Sequence, residues 1–232
     1  MLRLNLRSAG PGLGIAKKAY HGGSSDDTRE VLKWIERTYP NSPVTQVGFS
    51  LGANITLKMA GEDGSRPTGN LDSVVAVSPP LDLKDSALRL DSEDNALFRN
   101  FFMKYLVRDV QKLHKKNPDL GPVLVTKDMS VSLFDEIFTA PVAGYSSAEQ
   151  YYRESSSSLY VPEIKLPTLI IGAQDDPIAN PNPLFNTPSN DNVDLILTKH
   201  GGHIGFLGFG SQWEEVRWAD EAVAKWIESF LL

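Results

Sequence analysis

The chain has 232 residues, of which 41% are hydrophobic and 22% are charged, and its formal charge is −6. This balance is typical of one folded domain and excludes a disordered chain. The negative charge disfavours nonspecific nucleic-acid binding, which needs a basic surface. The absence of cysteine excludes disulfides, thiolate metal sites and a cysteine nucleophile.

Strand and helix patterns alternate in the N-terminal part of the sequence. Leu2–Leu6 has an apolar period of two, which predicts a short strand. Residues 26–38 follow several N-cap candidates and carry helically spaced apolar residues, so we predict a helix there. Val44–Phe49 is a short apolar strand that runs directly into a helix over Leu51–Ala60. Leu71–Ser78 has the continuous apolar run of a buried strand.

The stretch from about residue 84 to 160 interrupts this alternation. It is long, mostly helical in pattern and rich in aromatic residues. We predict that this stretch is a helical insertion that forms a lid, between core segments 1–83 and 161–232. Aromatic residues at helical spacing are more often core than pocket, so they leave the preferred acyl length open.

The C-terminal part returns to the alternating pattern. Leu166–Gly172 and Val193–Thr198 are predicted strands, and Trp213–Leu232 is a predicted amphipathic helix. Strands that alternate with helices indicate a mainly parallel sheet covered on both faces. We therefore predict a single α/β domain over residues 1–232. Because no apolar run reaches the roughly 20 residues that span a bilayer, and no signal-peptide core is present, a cytoplasmic protein without a transmembrane segment is expected.

The segment Gly48–Gly52 matches the motif G-x-S-x-G. Between a strand and a helix, this motif forms a sharp turn whose glycines relieve crowding around a strained serine nucleophile. Ser50 is then the nucleophile, and the Leu51 backbone N–H is aimed at the oxyanion that develops during ester cleavage. The alternative is a purely structural role, in which the segment is an ordinary strand-to-helix turn with a capping serine.

A serine hydroxyl is a weak nucleophile and needs a neighbouring base. His203 lies in a glycine-containing loop after the last predicted strand, and Gly201 and Gly202 allow that loop to curl back toward Ser50. His200 is the alternative base. The spacing of the two histidines does not match a metal-binding motif, and no metal or organic cofactor is expected.

The base needs a carboxylate that holds its tautomer. Asp175 and Asp176 both follow the predicted strand Leu166–Gly172, at the edge where the site should lie. We favour Asp175, because it emerges directly from the strand end, whereas Asp176 precedes Pro177 and is expected to face a turn. The order serine, acid, histidine is that of the α/β-hydrolase fold.

Several segments together resemble the AB hydrolase 4 family, the YheT-like esterases, and the match covers essentially the whole chain. The resemblance implies the α/β-hydrolase fold and carboxylic ester hydrolysis, in some members of acylglycerols or other lipids. It also implies Ser50 as nucleophile, His203 as base and one of the two aspartates as acid. The segments that carry it are Leu4–Gly10, Tyr20–Gly23, Gly48–Asn54, Phe134-Asp135, Thr139–Pro141, Tyr151-Tyr152, Asp175–Pro177 and His200–Phe206.

One departure from the family pattern concerns the N-terminus. In the family, early strands and a His-Gly loop that supplies the second oxyanion donor precede the equivalent of Leu2–Leu6. Only 49 residues precede Ser50 here, so the chain resembles an N-terminally shortened member. The leading hypothesis is a serine hydrolase that cleaves short-chain or lipid-type carboxylic esters through an acyl-enzyme intermediate, with a small-molecule ester or a lipid as substrate. A catalytically impaired binding protein and an acyltransferase are the alternatives, and the sequence gives no oligomeric state.

Overall fold

The computed structural model describes residues 1–186, 190–208 and 216–230. The centre of this part of the chain is a four-stranded parallel sheet in the order β1-β2-β3-β4. The strands are β1 (Val44–Phe49), β2 (Leu71–Val77), β3 (Thr168–Ala173) and β4 (Val193–Thr198). All four were predicted from apolar runs, to within two residues at each end.

Helices lie on both faces of the sheet, as the sequence predicts. The helices are α1 (Ser25–Thr38), α2 (Leu51–Asp63), α3 (Leu83–Asp91), α4 (Ala96–Lys116), α5 (Val131–Phe134), α6 (Ala140–Ala143), α7 (Ala148–Ser155), α8 (Asn182–Asn186) and α9 (Trp218–Glu228). Alternate residues of β2 point to opposite faces: Val74 joins the core formed with α1 and α2, and Val75 joins the core against α9.

The chain between β2 and β3 is an insertion made of helices and turns, here defined as residues 83–163. It contains α3 to α7, and a π-helical turn at Asp135–Thr139 joins α5 to α6. The insertion has its own apolar core, with Met103 and Leu113 of α4 almost fully buried. The predicted helical character of residues 84–160 is confirmed, whereas the proposed action of the insertion as a lid stays a prediction.

Two predicted elements differ from the structure. Leu2–Leu6 is not a strand, and Leu2 and Leu4 are 56% and 47% exposed. A strand requires a hydrogen-bonding neighbour, and none of the described strands pairs with this segment, so its alternating pattern buries no face. The final helix is shorter than predicted, at Trp218–Glu228; residues 213–215 and 231–232 of that prediction lie outside the described residues.

Candidate active site

Ser50 stands at the sharp turn between β1 and α2. Its backbone has φ of 49° and ψ of −123°, a strained conformation for a residue other than glycine. A Cβ at Gly48 would lie 2.5 Å from the Gly52 carbonyl oxygen and 2.7 Å from Ala53 Cα, so this position requires glycine. A Cβ at Gly52 would meet nothing within 4 Å. Only the first of the two motif glycines therefore relieves crowding.

His203 contacts Ser50 directly. The distance from His203 Nε2 to Ser50 Oγ is 2.7 Å, which confirms the contact predicted from the sequence. The predicted curl of the loop is also present: the Gly205 N–H donates to the Gly201 carbonyl at 2.9 Å, and Gly202 has a positive φ of 54°. A Cβ on Gly201 would lie 2.6 Å from the Phe206 ring, so glycine lets the loop pack closely here.

Asp176 contacts His203, and we call these two residues the inner pair. Its Oδ2 is 2.9 Å from His203 Nδ1, and its Oδ1 accepts the backbone N–H groups of Ile178 and Ala179 at 2.8 and 2.9 Å. The Asp176 side chain is 1% exposed and that of His203 is 13% exposed. Ser50, His203 and Asp176 thus form one continuous hydrogen-bonded line.

The prediction that Asp175 contacts His203 is wrong. Asp175 instead accepts the Gly202 N–H at 2.9 Å and lies 3.3 Å from His200. We call Asp175 and His200 the outer pair, and their side chains are 43% and 88% exposed. The Gly202 N–H holds the pKa of Asp175 below its ordinary value. The Asp176 side chain, just before Pro177, faces inward rather than outward, because its Oδ1 accepts the backbone N–H groups of the two residues that follow the proline. The second aspartate is therefore the one that is buried.

The Leu51 backbone N–H lies at the start of α2, directly after Ser50, and its role as an oxyanion donor stays a prediction. Leu51 is the first residue of α2, and the first N–H groups of a helix have no acceptor within the helix. They also lie at the positive end of the helix dipole, which favours negative charge. An oxyanion formed on a substrate bound at Ser50 would therefore meet a favourable donor at this end of α2.

Ser50, Leu51 and Gly52 line one end of a cavity of about 370 Å³. Its remaining wall comes largely from the insertion, and most of it is apolar, with side chains from α3, α4 and α5. A cavity of this size, mainly apolar with a few polar groups, is typical of a site for a small organic molecule. The apolar residues that form this wall include Leu83, Leu90, Phe102, Leu106, Val110, Val131, Phe134 and Phe138.

Asp135 is a partly buried carboxyl in this wall. Its Oδ2 accepts a hydrogen bond from the Tyr152 hydroxyl at 2.8 Å. Burial raises the pKa of Asp135 to about 6, and Thr139 and Tyr152 oppose that rise by hydrogen bonding to the carboxylate. The π-helical turn carries Asp135 and Thr139 together into the wall. Periodicity did not single out this residue, although the resemblance included Phe134-Asp135.

Asn54 is a supporting residue that sequence reasoning missed. It is fully buried in α2, one turn after Ser50. Its Nδ2 donates to the carbonyls of Gly22 and Ser155, and its Oδ1 accepts the Ser157 N–H, each at 2.9 Å. Asn54 therefore ties α2 to the loop before α1 and to the end of the insertion. Its place just after the motif was the available signal.

His21 lies in the loop that Asn54 holds and also lines the cavity. Its Nδ1 accepts the Gly23 N–H at 3.2 Å, so the proton of the neutral ring is on Nε2. Burial, assisted by the positive charge of Arg7, lowers the pKa of His21 to about 4. His21 is therefore neutral at physiological pH and is a hydrogen-bond donor through Nε2.

Comparison with known proteins identifies the family. The model of the alpha/beta hydrolase fold family matches residues 8–209 of this chain. The chain belongs to the α/β-hydrolase fold family. Its parallel sheet, its serine at the turn between a strand and a helix, and its late histidine loop agree with that membership.

Three relatives of this chain have names that describe an activity. The Escherichia coli protein YheT, whose esterase assignment is itself provisional, is 29% identical over 221 residues, covering 92% of this chain and 63% of YheT. A monoacylglycerol lipase of Saccharomyces cerevisiae is 32% identical over 222 residues, with coverage of 91% and 48%. The medium-chain fatty acid ethyl ester synthase/esterase 2 of the same yeast is 29% identical over 237 residues, with coverage of 91% and 51%. The chain thus spans about half to two thirds of these relatives' lengths.

None of the helices in the described part of the chain is both long and apolar enough to cross a bilayer. The longest, α4, has 21 residues but is interrupted by charged side chains.

Proposed function

We propose that this chain hydrolyses carboxylic esters through an acyl-enzyme intermediate, with Ser50 as nucleophile, His203 as base and Asp176 as the carboxylate that orients it. The observation that carries the proposal is the hydrogen-bonded line from Ser50 Oγ through His203 to Asp176, at 2.7 and 2.9 Å. This line ends at an apolar cavity. The named relatives include esterases and lipases, which supports the same reaction class.

In the first half of the reaction, Ser50 Oγ attacks the ester carbonyl carbon while His203 Nε2 accepts the hydroxyl proton. The negative charge that develops on the carbonyl oxygen is stabilised by the Leu51 N–H. Collapse of the tetrahedral intermediate breaks the bond to the alkoxide, and His203 returns its proton to that leaving group. The products of this half are an acylated Ser50 and a free alcohol.

In the second half, water attacks the acyl-serine while His203 accepts a proton from the water. The proton then passes to Ser50 Oγ as the carboxylic acid leaves. Asp176 stays ionised throughout and stabilises the imidazolium that forms twice in the cycle. Two backbone N–H groups hold its Oδ1, and Oδ2 is the nearer oxygen to His203 Nδ1, at 2.9 Å against 3.2 Å for Oδ1.

The substrate class that fits this cavity is an ester with an apolar acyl chain. Burying one more methylene is worth about 0.8 kcal/mol, or roughly a fourfold change in affinity. For p-nitrophenyl esters, we expect kcat/KM to rise by about this factor for each added methylene until the cavity is filled. A flat or falling dependence on chain length would refute the apolar acyl site without refuting ester hydrolysis.

Ester turnover by the purified chain tests the proposal itself. Ser50→Ala should abolish turnover, whereas Ser78→Ala should leave it near the wild-type rate. Ser78 is a matched control because it also has a positive φ, 49°, at the end of a strand. Absence of turnover in the wild-type chain would favour the alternative of a binding protein that keeps the serine and histidine without the activity.

Acyl transfer to an alcohol is the second candidate, and the yeast ester synthase/esterase is the relative that favours it. The acyl-enzyme is common to both reactions, and only the second nucleophile differs. Product analysis in water with added ethanol distinguishes them. A predominance of ethyl ester over free acid would make transfer the main activity.

A further inference from the structure

The longest helix, α4, has two functionally different faces. One face lines the cavity through Phe102, Leu106 and Val110. The opposite face is exposed over the full length of the helix. The two faces are separated by no more than the thickness of one helix, about 10 Å.

The first half of the exposed face is apolar, and we call it the apolar half. It consists of Leu97, Phe98, Phe101 and Tyr105, of which Leu97 is 85% exposed and Phe101 is 60% exposed. The rings of Phe101 and Tyr105 lie 4.7 Å apart between centroids, so the side chains form one continuous surface. Contiguous exposed apolar surface of this kind marks an interaction site.

The second half of the same face is basic. Lys104, Arg108, Lys112 and Lys115 are exposed along it, and Arg108 stacks on the Tyr105 ring at 4.6 Å. Within the part of the chain that the structure describes, the three lysines make no ion pair. The charge of α4 is opposite in sign to that of the whole chain. Helix α4 holds six of the 23 lysine and arginine residues but one of the 29 acidic residues, in a chain of net charge −6.

We propose that this face of α4 docks on the surface of an anionic phospholipid membrane. Exposed leucine and phenylalanine with adjacent lysine and arginine are what interfacial helices use, because they match the acyl boundary and the anionic headgroups at once. The apolar half inserts below the headgroups, and the basic half lies along them. Two other occupants of this face, a protein partner with one acidic and one apolar patch or a second copy of this chain, are distinguished from a membrane by the test.

Docking in this orientation would bring the cavity wall to within one helix of the lipid. The exposed aromatic residues and the cavity-lining residues both belong to α4, so a single helix would connect the membrane surface to the cavity wall. For an ester carried by lipid, this arrangement shortens the path from the membrane to Ser50. That consequence rests on the proposed function, whereas the docking surface does not.

Vesicle sedimentation tests the proposal without substrate turnover. The probes are phosphatidylcholine vesicles with and without phosphatidylglycerol. We expect the wild-type chain and Ser50→Ala to bind the anionic vesicles equally, at least about tenfold more tightly than neutral ones, and more weakly as salt rises. Equal binding by these two proteins keeps the result independent of the proposed function.

Two matched sets of variants locate the surface. Lys104→Glu/Lys112→Glu/Lys115→Glu should weaken anionic binding by tenfold or more, whereas the same charge change in Arg37→Glu/Arg66→Glu/Lys165→Glu should weaken it much less. Leu97→Ser/Phe101→Ser should also weaken binding, with Trp34→Ser/Leu159→Ser as its control. Circular dichroism should be the same for all variants.

Three results would overturn the proposal. The first is equal binding of the wild-type chain to neutral and anionic vesicles. The second is an equal loss of binding in the α4 variants and their controls, because the attraction would then reflect total charge. The third is a dimer that Leu97→Ser/Phe101→Ser dissociates without any change in vesicle binding, since a second copy would then cover the apolar half.

Discussion

The outer pair and the inner pair consist of the same two residue types, one position apart in one loop and three apart in the other. Asp175 and His200 are 43% and 88% exposed, and they lie 3.3 Å apart. Asp176 and His203 are 1% and 13% exposed, lie 2.9 Å apart and continue to Ser50. The difference shows that burial and backbone hydrogen bonds, rather than residue type, give one pair the geometry for catalysis.

The largest expected effect distinguishes the two histidines. His203→Ala removes the proposed base that contacts Ser50, and kcat should fall by about 10⁶-fold, as it does when subtilisin loses its catalytic histidine. His200→Ala should change kcat by less than about threefold, because a solvent-exposed pair contributes little. Steady-state ester hydrolysis measures both. Comparable losses in the two variants would contradict the assignment of His203.

The next effect distinguishes the two aspartates. In Asp176→Asn, the backbone N–H groups at Ile178 and Ala179 should keep the amide oxygen, so the NH₂ group turns to His203 Nδ1. The imidazole is then held in the wrong tautomer, and kcat should fall about 10⁴-fold. Asp175→Asn is the matched control and should stay within a few-fold of wild type. If Asp175→Asn gives the larger loss, the pairing described above is wrong.

A smaller effect comes from the two glycines between the histidines. A Cβ in Gly201→Ala would press on the Phe206 ring at 2.6 Å and displace the loop that carries His203. A misplacement of about 1 Å can cost roughly 10²-fold in rate, so we expect a loss of that order. In Gly202→Ala the Cβ meets nothing within 4 Å, and the penalty is backbone strain at φ of 54°, about 1 kcal/mol of stability. Kinetics and urea unfolding separate the two variants.

The last prediction concerns the pH dependence of stability rather than the rate, and it extends the comparison to a third carboxyl. The pKa of Asp135 is raised to about 6 by burial, so the folded state binds more protons than the unfolded state between about pH 4 and 6. The stability that this group contributes is present below pH 4 and lost above pH 6. Relative to Asp135→Asn, the wild-type chain should therefore lose up to about 3 kcal/mol of unfolding free energy from pH 4 to pH 7.

Asp175→Asn provides the control for this pH effect. The pKa of Asp175 is lowered by the Gly202 N–H, so its contribution has the opposite sign and is lost as the pH falls. Urea unfolding at several pH values measures both variants. A difference between wild type and Asp135→Asn that does not change with pH would show that folding does not raise the pKa of Asp135.

Sequence reasoning succeeded where a single local signal determines the structure. Val44–Phe49 and Val193–Thr198 have the predicted bounds, because apolar runs mark buried parallel strands. It failed at Leu2–Leu6, since a period of two forms a strand only beside a partner. It also chose Asp175 rather than Asp176 as the partner of His203, which is wrong. The direction of a side chain in a turn depends on which backbone N–H groups it can accept.

The exposed aromatics of α4 illustrate the same limit. The periodicity of Phe98, Phe101, Phe102 and Tyr105 predicts a helix, and the helix is present. Which of these rings lies in the cavity wall and which faces outward depends on how α4 packs on the rest of the insertion. Phe102 lines the cavity, whereas Phe101 is 60% exposed.

Mapped labelling with a fluorophosphonate probe tests the central claim most directly, because the probe bonds to a serine only when a neighbouring base activates it. We expect a single labelled peptide that contains Ser50, no labelling of that peptide in Ser50→Ala, and much slower labelling in Asp176→Asn than in Asp175→Asn. Labelling at wild-type rate in Ser50→Ala, or a label on another serine, would contradict the assignment of Ser50, His203 and Asp176 as the catalytic residues.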